Sequence, residues 1–330
     1  MTIRDVAARA GVSPATVSRV FTQPHAVAGA TRQRVLAAAE ELRYMPNPVA
    51  RSLARGRSGN LGLIVSDIAS PFQAEVIKAV QRQARYDGYA LFVADPDEAA
   101  RDEARIAVAM AGQVEGLLLS RPSMADERLH DLATHTPVVL INREVDGIPA
   151  VLTDPTDATV HAVEHLHALG HREVVYLAGP AGYSNEMRLC AVRATCRRLG
   201  VELAERGPFE PTLASGVRAA DLVLGTSATA IVAFNDEIAV GVLGRLADRG
   251  RSVPEDISLV GFGDTSLAEV VTPKLTTVRL QKSAAGIAAV HLLLDILRGG
   301  DPGERTPVTL PAELVVRASV GPAAAGVAVA

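Results

Sequence analysis

Cysteine is nearly absent from this sequence of 330 residues: Cys190 and Cys196 are its only two. They stand too close within one helical pattern to frame a disulfide scaffold, and neither has CxxC or Cys/His metal spacing. Both read as small packing residues in a reduced compartment. No apolar run approaches the ~20 residues that a membrane span requires, and Leu61–Val65 is among the longest. The opening Met-Thr-Ile-Arg-Asp passes straight into polar helical sequence without an apolar signal region, so a cytoplasmic protein is expected. An export signal would be needed by a periplasmic receptor. A nucleophile elbow, a phosphate loop and a Rossmann glycine fingerprint are all missing at the required spacing, which points away from an α/β enzyme. His161, His165 and His167 fall in one helical stretch beside Glu164. With no ligand on a second helix they read as a solvated face, so neither metal nor cofactor is expected. The Ala/Val/Gly-rich tail from Gly321 lacks leucine heptads, which argues against a zipper-held tetramer.

What the sequence does contain is apolar material, 48% of it, enough for two or three domains at this length. The net charge of −4 hides an asymmetry. Residues 1–58 carry nine arginines against Asp5, Glu40 and Glu41, a net +6, leaving −10 for the remainder. A basic module on an acidic body points to a polyanionic partner at one end only, with a solvated basic face as the alternative.

Within that basic segment, Thr2 followed three residues later by Asp5 is close to a capping box. Ile3, Val6, Ala7 and Ala10 then follow helical spacing. Gly11 stops the helix, Ser13 caps the next, and Pro14 takes its first position, where a missing N–H costs nothing. A second helix over about Pro14–Phe21 and a third over about Thr31–Arg43 complete a helix-turn-helix. The run Asp5-Val6-Ala7, Ala10-Gly11-Val12-Ser13, Thr16-Val17-Ser18-Arg19-Val20 continues to Tyr44-Met45-Pro46-Asn47-Pro48-Val49-Ala50-Arg51-Ser52-Leu53-Ala54. In these residues the sequence resembles the LacI/GalR family of bacterial transcription regulators.

The resemblance implies a headpiece over 1–46 and a hinge helix with linker over 47–60. The second helix would enter the major groove of double-stranded operator DNA. Pro14 and Ala15 would read thymine methyls or shape, and Arg19 a guanine. Thr16, Ser18, Thr22 and His25 would position phosphates, with ordinary capping and solvation as their competing roles. Further contacts fall at Thr2, Ser13, Tyr44, Asn47, Arg51 and Ala54, and Leu53 would be the wedge pushed into the minor groove. Ala28 stands where the family commonly has a capping Ser, so one backbone contact is expected to be missing. A homodimer is expected, because one headpiece covers half a site.

From Leu61 the texture changes to alternating strands and helices. Apolar runs at 61–65, 90–94, 116–119 and 137–141, then 150–153, 173–178, about 207–209, 229–234 and 257–262, predict two doubly wound parallel sheets with a cleft between them. This half resembles the periplasmic-binding-protein-like body that the family shares. Expected boundaries are an N-subdomain of about 61–154 and 283–309 and a C-subdomain of about 155–281 and 310–320. The resemblance places a small-molecule effector, a sugar or sugar derivative, against Ser70, Phe72, Gln73, Asn142, Arg143, Ser184, Arg188, Phe209 and Asn235. A nucleobase or other non-sugar co-repressor is the alternative. Asp236 is expected to cap its helix. Gly263 stands where the family usually has an acid that holds sugar hydroxyls, and Asp264 is expected to substitute for it.

Overall fold

The computed structural model describes residues 1–44, 58–96, 100–300 and 306–324. Contacts divide the chain into two units, Met1–Gly59 and Asn60–Ala330.

In the first unit, α1 (Ile3–Ala10), α2 (Pro14–Thr22), a 3₁₀ turn (Pro24–Ala26) and α3 (Gly29–Glu41) follow one another. The capping box is complete: the Thr2 hydroxyl accepts from the Asp5 N–H, and the Asp5 carboxylate accepts from the Thr2 N–H. Gly11 ends α1 at φ +65, a conformation that strains residues with a Cβ. Ser13 accepts from the Thr16 N–H at the start of α2, with Pro14 in its first turn. Ala28 leaves α3 without a side-chain cap. Val6, Val17, Val20, Val35, Ala38 and Ala39 are buried together. The Phe21 and Tyr44 rings, 6.1 Å apart, close the edge of that core. An ion pair of 2.8 Å joins Arg9 of α1 to Glu41 of α3. Both side chains are more than half exposed, so it contributes at most about 1 kcal/mol. Asn47, Arg51, Leu53 and Ala54, the expected hinge residues, lie outside the described residues.

The second unit contains two sheets built around separate cores. Its strands are β1 (Asn60–Val65), β2 (Ala90–Ala94), β3 (Gly116–Ser120), β4 (Val138–Ile141), β5 (Ala150–Asp154), β6 (Glu173–Leu177), β7 (Glu202–Arg206), β8 (Ala230–Ala233), β9 (Ser258–Gly263), β10 (Thr276–Arg279), β11 (Val308–Pro311) and β12 (Glu313–Val315). Its helices are α4 (Pro71–Tyr86), α5 (Ala100–Ala111), α6 (Asp126–His135), α7 (Thr156–Ala168), α8 (Tyr183–Leu199), α9 (Leu213–Val223), α10 (Asp236–Asp248), α11 (Ser266–Val270) and α12 (Lys282–Leu297). Among the described residues the first sheet has the order β11-β5-β4-β3-β1-β2 and the second β12-β10-β9-β8-β6-β7. The chain crosses between sheets after β5, after β10 and between β11 and β12. Buried aliphatic runs such as Leu117, Leu118 and Leu119 face helices on both sides of their sheet, which is what makes them read as continuous apolar strands.

Three expectations are corrected. The strand placed at about 207–209 is β7 at Glu202–Arg206, a polar edge strand that Gly207 and Pro208 end. Its side chains are half-exposed or exposed, so no apolar run marks it. The second sheet is not wholly parallel, because β12 pairs antiparallel with β10. The cysteines differ too: Cys196 is buried, which pushes its thiol up to about 11, whereas Cys190 is exposed. Six residues apart on a helix, they point to different faces.

Candidate functional site

On the first unit, the exposed groups at the start of α2 are the side chains of Ser13, Pro14 and Ala15. The Ser13 and Thr16 hydroxyls lie 2.9 Å apart, and Thr22 donates to the Ser18 carbonyl at 2.9 Å. Thr16 and Thr22 are engaged locally and, like Ser18, are half-buried, while Arg19 and His25 are exposed. Thr2 serves the capping box, and Tyr44 packs half-buried against the headpiece core. The face carries one long cationic donor, Arg19, beside two small apolar side chains.

In the second unit, strand order explains where a ligand would sit. Neighbouring strands lead away in opposite directions at β1/β3 in the first sheet and at β6/β8 in the second, and such switch points open crevices at the carboxyl ends of strands. The residues after β1, β3, β4, β6 and β8 meet there, with Phe262 of β9, around a cleft whose enclosed volume is about 40 Å³. Ser66, Ser70, Phe72, Arg121, Asn142, Tyr183, Ser184, Arg188, Phe234, Asn235, Glu237 and Phe262 are among the lining residues.

Arg188 is the most unusual of them. It is 7% exposed, its guanidinium carbon lies 4.6 Å from the centre of the Phe234 ring and 4.9 Å from that of Phe262, and one terminal nitrogen donates to the Phe234 carbonyl. Among the described residues its Nε has no hydrogen-bond partner. Burial pushes the guanidinium down to about 10, and nearby Arg121 adds to that, whereas Tyr176, Asp236 and Glu237 oppose it. A buried N–H with no acceptor costs about 1–3 kcal/mol, more for a charged group, so an acceptor placed at this Nε would be favoured.

The other expected contacts separate into groups. Ser70, Phe72, Asn142, Ser184 and Asn235 line the cleft with Arg188. Phe72 packs against cores of both subdomains. Asn142 sits at φ +55, and its Oδ1 accepts from the Thr153 N–H at 2.9 Å. Asn235, not Asp236, caps α10: its Oδ1 accepts from the Ile238 N–H and its amide donates to the Pro211 carbonyl. Asp236 instead accepts from the Thr265 N–H, the Thr265 hydroxyl and the Thr277 hydroxyl, and burial raises its carboxyl.

Four expected contacts fall elsewhere. Gln73 is buried behind the wall, donating to Ser66 Oγ at 3.0 Å and accepting from Ser120 at 2.9 Å. Arg143 lies in an adjoining groove, held by the Pro122 carbonyl and, at 2.5 Å, by Asp126. Phe209 packs half-buried against the C-subdomain core, a consequence of β7 ending at Arg206. Asp264 does not substitute for the missing acid: Arg279 at 2.5 Å and Arg317 at 2.7 Å occupy its carboxylate. Burial alone would raise that carboxyl, but the two arginines outweigh it and hold it low. Gly263 has φ +132, where a Cβ would also crowd Asp236.

The sequence reading missed Arg121, Phe234, Glu237 and Phe262. Arg121 follows β3 at φ +53, an uncommon conformation for arginine, and lies 5.7 Å from the centre of the Phe234 ring. Its place at the carboxyl end of a strand beside the switch point was the available signal. Among the described residues, no three His, Cys, Asp or Glu side chains gather as metal ligands, and no helix is long and apolar enough to cross a membrane. Glu164, beside the histidine run, pairs with Arg198.

Comparison with known proteins agrees with this architecture. Residues 2–47 match the family of bacterial regulatory proteins called the lacI family, and residues 163–320 match a periplasmic binding protein-like domain. The HTH-type transcriptional repressor CytR of Escherichia coli strain K12 is 33% identical over 96% of this chain and 96% of its own length. The lac repressor dimer bound to operator and the anti-inducer ONPF superposes with a TM-score of 0.88 at 29% identity, covering 97% of this chain and 99% of that one. A complex of the transcriptional regulator CelR with cellobiose gives 0.72 at 29% identity, covering 97% and 99%. With a helix-turn-helix unit, a two-sheet cleft domain and full-length relatives of this identity, the chain belongs to the LacI family of bacterial regulatory proteins.

Proposed function

We propose that this protein is a cytoplasmic, homodimeric repressor of transcription rather than an enzyme. Its hold on a pseudo-palindromic operator is set by a small molecule, a sugar or sugar derivative in the first instance, bound between the two sheets. The observation that carries this reading is Arg188, a buried cation with an unsatisfied donor on the wall of a cleft, in the same chain as an exposed recognition-helix arginine. Cleft occupancy changes the balance between two arrangements of the N- and C-subdomains, and operator affinity follows that balance. The relatives named above, one of them solved on its operator and another with a disaccharide, support both halves.

Arg19 would donate to a guanine edge while Pro14 and Ala15 meet thymine methyls. The cleft site comprises Ser70, Phe72, Asn142, Ser184, Arg188 and Asn235, joined by Arg121 and Glu237. Arg19→Ala is expected to cost about 1–3 kcal/mol of operator affinity and to relax preference at one base pair per half-site. Binding selection from random duplexes followed by anisotropy titration measures this. An equal loss on all duplexes would move Arg19 to the phosphate backbone.

A further inference from the structure

Among the described residues, four formally charged side chains line the cleft: Asp67, Arg121, Arg188 and Glu237. Their formal charges cancel. Asp67 is engaged in its own turn, its carboxylate accepting from the Ala69 N–H at 2.7 Å. Glu237, in the first turn of α10, is 7% exposed, and its Oε1 accepts from Ser70 Oγ at 2.9 Å, across the cleft from the first sheet. Burial raises its carboxyl and neighbouring Asp236 adds to that, while Ser70, its own backbone N–H and Arg121 pull it back. Asp236 is turned away, with hydrogen bonds from Thr265 and Thr277. Glu237 therefore places a buried carboxyl group, held by Ser70, on the same wall as Arg188.

Taken alone, two arginines in a crevice would attract a phosphate. Here that attraction is opposed, because Asp236 and Glu237 already act on Arg188, and Glu237 acts on Arg121. With Glu237 ionised, an arriving phosphate or carboxylate meets a like charge, and repulsion of this kind is how a site rejects a near-isosteric competitor. An uncharged ligand avoids it, offering a hydroxyl or amide hydrogen to Glu237 and a lone pair to the unpartnered Nε of Arg188.

We propose that Glu237 is a specificity-determining residue that excludes anionic ligands from the cleft and admits uncharged ones bearing hydroxyl or amide groups. This rests on the cleft being the effector site. The test is thermal unfolding of the full chain with matched pairs: ribose and ribose 5-phosphate, glucose and glucose 6-phosphate, adenosine and AMP, uridine and UMP. Wild type is compared with Glu237→Gln, whose side-chain carbonyl still accepts from Ser70, and with Glu237→Ala. Wild type is expected to be stabilised only by an uncharged member, and the variants to bind the phosphate of that same compound at least tenfold more tightly than wild type does. Stabilisation of wild type by a phosphate ester, or exclusion that persists in both variants, would overturn the proposal. If none of the eight compounds stabilises any of the three proteins, the effector reading of the cleft fails, and the charge filter with it.

Discussion

Arg188→Met is expected to abolish the response to effector while leaving the protein folded. A guanidinium 7% exposed, with an unpartnered Nε and a pKa drawn down to about 10, is a charge that folding has taken out of water without full compensation. Replacing such an ion with an apolar side chain of similar length is often neutral or stabilising by about 1–4 kcal/mol. Against that stands the loss of two ring contacts, with Phe234 and Phe262, worth about 1–2 kcal/mol each at a desolvated site. The two effects are of similar size, so the net change in stability lies within about 4 kcal/mol of zero. Ligand binding has no such offset: losing the charged donor is expected to weaken affinity at least 100-fold, about 2.7 kcal/mol. Thermal unfolding and effector titration on the same preparations measure both. A marked fall in Tm with effector affinity unchanged would make Arg188 a structural pin, and the ligand would have to be sought in another pocket.

Gly241→Ala is expected to have the opposite character, a large loss of stability from one methyl group. The new Cβ on α10 would lie 2.1 Å from the Leu213 carbonyl oxygen and 2.9 Å from the Gly216 Cα of α9. Both are backbone atoms, so the two helices must separate, and overpacking of this kind costs about 3 kcal/mol or more. Because α10 begins with Asn235, Asp236 and Glu237, the same displacement would disturb the cleft wall. Gly244→Ala, three residues further along the same helix, meets nothing within 4 Å among the described residues. It is expected to be neutral or stabilising by up to about 1 kcal/mol through helix propensity. Urea denaturation of the two variants separates these outcomes, and equal effects would contradict the close-packed α9–α10 contact.

The sequence was most legible where local chemistry determines local structure. Thr2, Gly11, Ser13 and Pro14 mark helix ends by their own hydrogen-bonding and conformational properties, and each sits where the pattern placed it. Buried strands announced themselves as apolar runs. The edge strand β7 did not, because Glu202–Arg206 has a solvated face and its register depends on β6. Strand ends mark clefts, and Ser70, Asn142, Ser184 and Arg188 all line this one, from both sheets. What could not be read was which polar side chain at a given strand end faces the cavity. Asn235, Asp236 and Glu237 are consecutive, yet the first caps a helix, the second ties a neighbouring turn, and the third reaches across to Ser70. Asp264 shows the same limit: its partners, Arg279 and Arg317, come from β10 and from beyond β12.

One chain that reads an operator and lets cleft occupancy change its grip is tested most directly by a single titration. The full-length protein is titrated onto its selected duplex by fluorescence anisotropy, with and without the compound that most raises its Tm, since a ligand of the native state stabilises by mass action. The expected result is a sequence-dependent operator Kd that shifts at least tenfold, about 1.4 kcal/mol of coupling, when the cleft is filled. An operator Kd unmoved by saturating ligand, or binding with no preference among duplexes, would contradict it.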